Sequence, residues 1–196
     1  MHTQIEHLMA AATFAANKHQ FQRRKDIQGT PYINHPLNVA NLIIKVGKVD
    51  DCNILVAAML HDTVEDTNTS FSEIEKLFGP EIANIVKEVT DDKSLPTIAR
   101  KKLQVENAPK KSYGAKMVKL ADKLDNLTDL LTSIPQGWSD DRVIGYFAWS
   151  YKVIQGLRGT NEYLERELDN IFKKKFDPTD NLDMCLEKYY QLLEKK

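Results

Sequence analysis

The sequence predicts an all-α protein, a single bundle of about nine or ten helices. Three observations carry that prediction. Apolar residues recur at three- and four-residue spacing along nearly every segment. Capping and stop signals punctuate those segments at helical intervals. No pair of alternating apolar and polar runs is joined by a Gly-rich turn, so nothing suggests a substantial sheet.

Taken in order, Ile5, Leu8, Met9, Ala12 and Ala16 mark one face of a first helix, followed by a basic, Gly-containing loop from Gln22 to Thr30. Asn34-His35-Pro36 starts a second helix, with Asn34 as its cap and Pro36 in its first turn, running to a stop at Gly47. Asp50 or Asp51 caps the third, whose apolar run Ile54 to Leu60 leads into His61-Asp62. Ser70 and Glu73 have capping-box spacing, and Gly79 ends the helix they begin. Pro80 opens the next, with Ile82, Ile85, Val86 and Val89 inward. Residues 98–107, 114–131, 141–156, 160–175 and roughly 178–194 continue the helical pattern.

A chain of 196 residues fits one domain and can bury a core without disulfide or metal staples. Residues 1–176 read as that domain and 177–196 as a C-terminal helical extension, set off by a break at Asp177-Pro178-Thr179. With 27 basic and 28 acidic residues the formal net charge is -1, which argues against wrapping nucleic acid. Cys52 and Cys185 form no C-x-x-C pair and read as thiols in a reducing compartment. Neither a signal peptide nor a membrane span is evident, and the expectation is a cytoplasmic protein.

The densest polar cluster is His61-Asp62-Thr63-Val64-Glu65-Asp66, directly after an apolar run. It reads as a helix ending at the edge of the core. If the turn continues, His61 with Glu65 and Asp62 with Asp66 stack at i,i+4. Imidazoles and carboxylates together suit a divalent metal, which can acidify a water for attack on phosphorus while a nearby carboxylate orients it. The dipeptide alone favours a different reading, a helix C-terminus followed by a solvated acidic loop. Likewise His35 alone reads as a capping or core histidine. Asp122 lies on a helix whose apolar face is Met117, Leu120, Ala121, Leu124, Leu127 and Leu131, and periodicity places it toward solvent with Asn126. Only the combination argues for a metal.

That combination, His35, then His61-Asp62, then Asp122, resembles the HD phosphohydrolase superfamily. Tyr32-Ile33-Asn34-His35-Pro36, Ala57 through Asp66, and Val118 through Asp122 are similar to the hydrolase domain of the RelA/SpoT family. From about residue 5 to 175 the chain resembles the small stand-alone animal members of that family. The resemblance implies one Mn²⁺ on His35, His61, Asp62 and Asp122. It implies that Glu65 and Asp66 align and deprotonate the attacking water. Arg24 and Lys25 would hold substrate phosphates, and Asn126 would line the nucleotide site. The implied reaction removes the 3′-diphosphate of guanosine 3′,5′-bis(diphosphate), giving GDP (or GTP) and pyrophosphate. Family members often carry Asp-Arg-x-His-Asn-x-Arg-Thr at the third motif. Here Asp122-Lys123-Leu124-Asp125-Asn126-Leu127-Thr128-Asp129 keeps the Asp and Asn but not the His, Arg and Thr.

Smaller signals remain. Lys93, Arg100, Lys101 and Lys102 read as a solvated helix face. Arg142 and Tyr146, at i,i+4, offer a cation and a ring for a base, or are surface and core residues. Trp138, Phe147 and Trp149 read as core, and His2, His7 and His19 carry no ligand signal. Two other functions share these motifs: an HD phosphatase for another ribose-phosphorylated nucleotide such as NADPH, and a non-catalytic nucleotide binder. The intact Glu65-Asp66 pair favours chemistry over binding alone.

Overall fold

A computed structural model describes residues 3–176 and 181–194; the Asp177-Pro178-Thr179 break and His2 lie outside the described residues. The helices are α1 (Gln4–Lys18), α2 (Asn34–Lys45), α3 (Cys52–Leu60), α4 (Thr63–Asp66), α5 (Phe71–Phe78), α6 (Pro80–Val89), α7 (Thr97–Asn107), α8 (Tyr113–Thr132), α9 (Asp140–Gln155), α10 (Glu162–Lys175) and α11 (Leu182–Glu194). A 3₁₀ turn, Ala108–Lys110, sits between α7 and α8. Among the described residues there is no strand, only an isolated bridge between Arg23 and Pro31. The chain is all-α, as its periodicity predicts.

Two helices sit at the centre. α3 is apolar on every side, and such a helix is stable only when surrounded; Ile54 to Ala58 and Leu60 are all buried, with α1, α2, α6 and α8 packed around them. α8 is the second, flanked by α2, α3, α6, α9 and α10. Its burial extends beyond the apolar stripe to Lys119, Asp122, Lys123 and Asp125. Periodicity therefore misplaced Asp122, which is 6% exposed, and also Leu131, which faces outward while Leu130 packs inward. The stripe seen in the sequence meets α2 and α3, but α9 covers part of the polar side as well.

The local signals explain most boundaries. Asp51 caps α3, its carboxylate accepting from the backbone of Asn53 and Ile54. Ser70 caps α5 through the Glu73 N–H. Gly79, at φ 92°, turns α5 into α6 with Pro80 in the first turn, a conformation that a side chain would strain. One start differs from expectation. Ile33 occupies the position before α2 and Asn34 is already helical, so no side chain caps that helix. The prolines on either side of the motif, Pro31 and Pro36, supply rigid φ angles where a cap is missing.

Candidate active site

The metal-binding candidates arrive from three central helices. α3 ends at Leu60, and His61 and Asp62 form the turn that separates it from the single-turn α4. Two constraints hold that turn. His61 Nδ1 donates to the carbonyl of Ala58 at 2.7 Å, and the Thr63 hydroxyl donates to Leu60 at 2.7 Å. His35, in the first turn of α2, donates from Nδ1 to Asp125 Oδ2 at 2.6 Å. With both Nδ1 atoms occupied, both imidazoles present Nε2 to the same space. A hydrogen bond on the far nitrogen is how proteins set the tautomer of a ligating histidine.

In that space His35 Nε2 lies 3.6 Å from Asp62 Oδ2 and 3.3 Å from Asp122 Oδ1. His61 Nε2 lies 3.0 Å from Asp62 Oδ2 and 3.9 Å from Asp122 Oδ1. The ligand atoms of His35, His61 and Asp62 all fall within 4.8 Å of one another. Asp122 stands at the edge of this group, its oxygens also accepting from Lys123 Nζ (2.8 Å) and Asn126 Nδ2 (2.6 Å). His61 Nε2 is buried and makes no hydrogen bond. A buried ring nitrogen with no well-aligned hydrogen bond, 3.0 Å from a carboxylate oxygen, fits a divalent cation bound by nitrogen and oxygen.

The electrostatics favour positive charge here. Burial, the largest influence on His35, opposes protonation, but hydrogen bonds that its ring donates to Asp122 and Asp125, with the charge of the surrounding carboxylates, outweigh it and push the group up to about 9. Burial also opposes ionisation of Asp62 and Asp122. For Asp62 the imidazoles of His61 and His35 prevail, and for Asp122 the ammonium of Lys123 and His35 prevail, so both stay below the usual carboxylate range. Tyr32 donates its hydroxyl to Asp62 Oδ2 at 2.6 Å, and burial with that carboxylate raises the phenol.

Glu65 and Asp66 lie in α4, directly past the His61-Asp62 turn, and the Asp66 N–H donates to the Asp62 carbonyl at 2.9 Å. Glu65 Oε2 accepts from the Asp91 N–H at 3.0 Å, with Arg100 Nη1 3.8 Å from Oε1. Burial, first, and then the carboxylates of Asp91 and Asp62 raise its carboxyl above the usual range, against the Asp91 N–H, which lowers it. Asp66 accepts from Lys93 at 2.6 Å and Gln22 at 3.0 Å. Both nevertheless line a cavity of 240 Å³ together with His35, Asp62 and Asp122.

Arg100 and Lys101 line that cavity too, so the basic face of α7 is turned partly inward, contrary to the solvated reading. Lys119 and Lys123 from α8 join them. Lys101 Nζ sits 3.4 Å from the centroid of the Trp149 ring, and burial followed by the charge of Lys123 holds it well below the usual lysine range. Lys119 is lowered by the same two causes.

A second cleft, 390 Å³, shares Tyr32, Asp66, Asn126 and Tyr146 with the first and adds Arg24, Lys25 and Trp138. The loop after α1 is closed by backbone bonds from Arg24 to Thr30 (2.8 Å) and from Tyr32 to Gln22 (3.0 Å), which fixes Arg24 against α8. There its guanidinium donates to Asp129 at 2.5 Å and Asn126 at 3.1 Å. Lys25 is exposed at the rim. Tyr146 packs 5.7 Å from Trp138 and 5.2 Å from Trp149, centroid to centroid. Arg142 lies over the Trp138 ring at 4.3 Å, so it acts on the cleft through that ring. Phe147 and Trp149 are core as expected, while Trp138 is half-buried and forms cleft wall.

The structure thus brings His35, Asp62, Asp122, Glu65, Asp66 and Asn126 around one cavity, with His61 Nε2 just behind it 3.0 Å from Asp62, and Arg24, Lys25 and Tyr146 around its neighbour. Sequence reasoning missed Tyr32, Asp91, Lys119, Lys123 and Asp125. The placement of Asp125 one turn after Asp122 was the available signal for it, and Tyr32 opens the motif that ends at Pro36; nothing local marked Asp91.

The HD-domain family pattern matches residues 11–138, which span every one of the proposed metal ligands. The chain belongs to the HD-domain family. Among HD-domain relatives, the guanosine-3′,5′-bis(diphosphate) 3′-pyrophosphohydrolase MESH1 of Xenopus tropicalis is 58% identical over 165 residues, covering 84% of this chain and 92% of that protein. The MESH1 of Homo sapiens is 53% identical over 175 residues, covering 89% and 98%. A solved structure described as a metazoan ortholog of SpoT that hydrolyzes ppGpp superposes with a TM-score of 0.84 at 52% identity, covering 86% of this chain and 94% of that one.

Proposed function

We propose that this HD-domain protein is a Mn²⁺-dependent hydrolase that converts guanosine 3′,5′-bis(diphosphate) and water to GDP and pyrophosphate. One observation carries the reading. Two histidines and Asp62 converge on a cavity that shares a wall with an aromatic cleft, in a chain 58% identical to a protein bearing that activity in its name. His35, His61, Asp62 and Asp122 would hold the ion, which supplies Lewis acidity and makes a water nucleophilic near neutral pH.

The chain's own residues do the rest. Glu65 and Asp66 orient the attacking water and take its proton at a carboxylate oxygen; burial of Glu65 raises its basicity, as a general base requires. The water oxygen bonds to phosphorus as the bond to the ribose 3′ oxygen breaks, and that oxygen leaves with a proton. Lys101, Lys119 and Lys123 neutralise the departing diphosphate in the small cavity. Arg24 and Lys25 hold the remaining phosphates, Asn126 lies between the two spaces, and Tyr146 and Trp138 offer rings to the base.

The test is product analysis with Mn²⁺ on a panel of guanosine 3′,5′-bis(diphosphate), NADPH and a simple 3′-nucleotide. Equimolar GDP and pyrophosphate from the first, at the highest kcat/KM, is the expected result. A higher kcat/KM for NADPH would reassign the cleft to that nucleotide class, and binding of every nucleotide with no turnover would make the protein a sensor.

A further inference from the structure

We propose that α11 is a brace that fixes Tyr146 in the wall shared by the two cavities and thereby sets the affinity for substrate. The helix belongs to the C-terminal segment, residues 177–196, beyond the resemblance to the small animal members, which runs to about residue 175. This proposal rests on the reading of the 390 Å³ cleft as the nucleotide seat.

Three observations point to it. First, α11 lies against α9 at a distance that only glycine permits. A Cβ placed on Gly145 would fall 2.8 Å from Cγ and 2.9 Å from Cδ2 of Tyr189, and nearer still to its Cβ. Such separations are far inside van der Waals contact, so the backbone of α9 and the stem of Tyr189 touch directly. Second, Tyr189 is 2% exposed and meets Tyr146 edge to face, with centroids 6.4 Å apart and planes at 89°. Edge-to-face pairs of this kind add orientation as well as buried area. Third, α11 is fastened at two further places, by Lys152 Nζ to Asp183 Oδ1 at 2.6 Å and by Lys102 Nζ over the Tyr190 ring at 5.4 Å. The first tie returns to α9 and the second to α7, the helix that sends Arg100 and Lys101 into the metal cavity.

Tyr146 is therefore held from behind by Tyr189 and from the sides by Trp138 and Trp149, with its remaining surface toward the cavities. No part of α11 lines either cavity, so Tyr189 is a positioning residue. Its removal should loosen the ring that a base packs on and leave the water-activating groups in place.

The experiment compares Tyr189→Ala, Tyr189→Phe and Gly145→Ala in the full chain. Gly145→Ala improves helix propensity in α9, so damage from it must come from the α11 contact. Trp138 and Trp149 are the two tryptophans of the sequence and both adjoin Tyr146, so quenching of their fluorescence without substrate reads the wall itself. Tyr189→Ala and Gly145→Ala should raise quenching and raise KM by about 2- to 10-fold, the worth of one aromatic pair. Their kcat and their affinity for Mn²⁺ by calorimetry should match the parent chain, and Tyr189→Phe should behave as the parent. Unchanged quenching, or a fall in kcat and Mn²⁺ affinity as large as the rise in KM, overturns the proposal. Tyr146→Ala separates the two levels. If it raises KM while Tyr189→Ala does not, the brace fails and the nucleotide seat stands; if it leaves KM unchanged, the seat itself is misassigned and the brace falls with it.

Discussion

At the scale of single residues, His61 makes the strongest demand for a cation, because its Nε2 is buried, unbonded and ringed by carboxylates. His61→Ala should lose Mn²⁺ and turnover together, measured by elemental analysis beside pyrophosphate release. Glu65→Ala and Asp66→Ala should keep the metal and lose hydrolysis by about 10²- to 10⁴-fold, the contribution of a positioned acid–base group. A double variant that turns over at the parent rate would show that water activation lies elsewhere. Asp125 offers a finer test. It stands where family members often carry His and accepts the Nδ1–H of His35. Asp125→Ala should weaken Mn²⁺ binding by roughly 10- to 100-fold, as loss of such partners does, and calorimetry showing unchanged affinity would remove it from that role. The proposed ligands were legible in the sequence through their motifs, and His35 and His61 through little else. Asp122 was legible only through the resemblance, since the apolar stripe of its helix pointed away from it. Asp91 reaches the site by chain folding over a long separation, which no local pattern encodes.

At the scale of elements, local chemistry predicts boundaries where a side chain can satisfy free backbone groups. Asp51 accepts two N–H groups at the start of α3, so Asp51→Ala should cost about 1 kcal/mol, seen as a lower urea midpoint at constant m. Asp50→Ala, at the exposed neighbour that the sequence could not distinguish from Asp51, should change stability by less than about 0.5 kcal/mol. The reverse pattern would mean the cap is misassigned. Gly79-Pro80 was equally legible, because few other residue pairs tolerate that turn. The break at His61-Asp62 was only half legible: the change from apolar to polar residues marked the end of α3, but not that the Glu65 and Asp66 carboxylates of α4 meet Asp91 and Lys93 in the loop between α6 and α7. The polar burial of α8 was illegible for a different reason. A helix surrounded on most sides buries Lys119, Lys123 and Asp125 through pairing and not through hydrophobicity, and periodicity counts only the latter.

At the scale of the whole molecule, a metal on the proposed ligands would tie α2, α8 and the turn after α3 together, so binding it should stabilise the fold. At an Mn²⁺ concentration about 100 times Kd the gain is about 2.7 kcal/mol, which for a chain of this length raises Tm by roughly 5–10 °C. His61→Ala should show no such shift in a thermal scan, and an equal shift in that variant would place the ion elsewhere. The same linkage makes catalysis and occupancy rise together. The most direct test is therefore a titration of metal-stripped protein with Mn²⁺ while pyrophosphate release from guanosine 3′,5′-bis(diphosphate) is followed. The predicted result is no turnover in stripped protein, a rate that climbs with occupancy and saturates at one ion per chain, and no recovery in His61→Ala. Full turnover by the stripped protein, or none at saturation, would contradict the account.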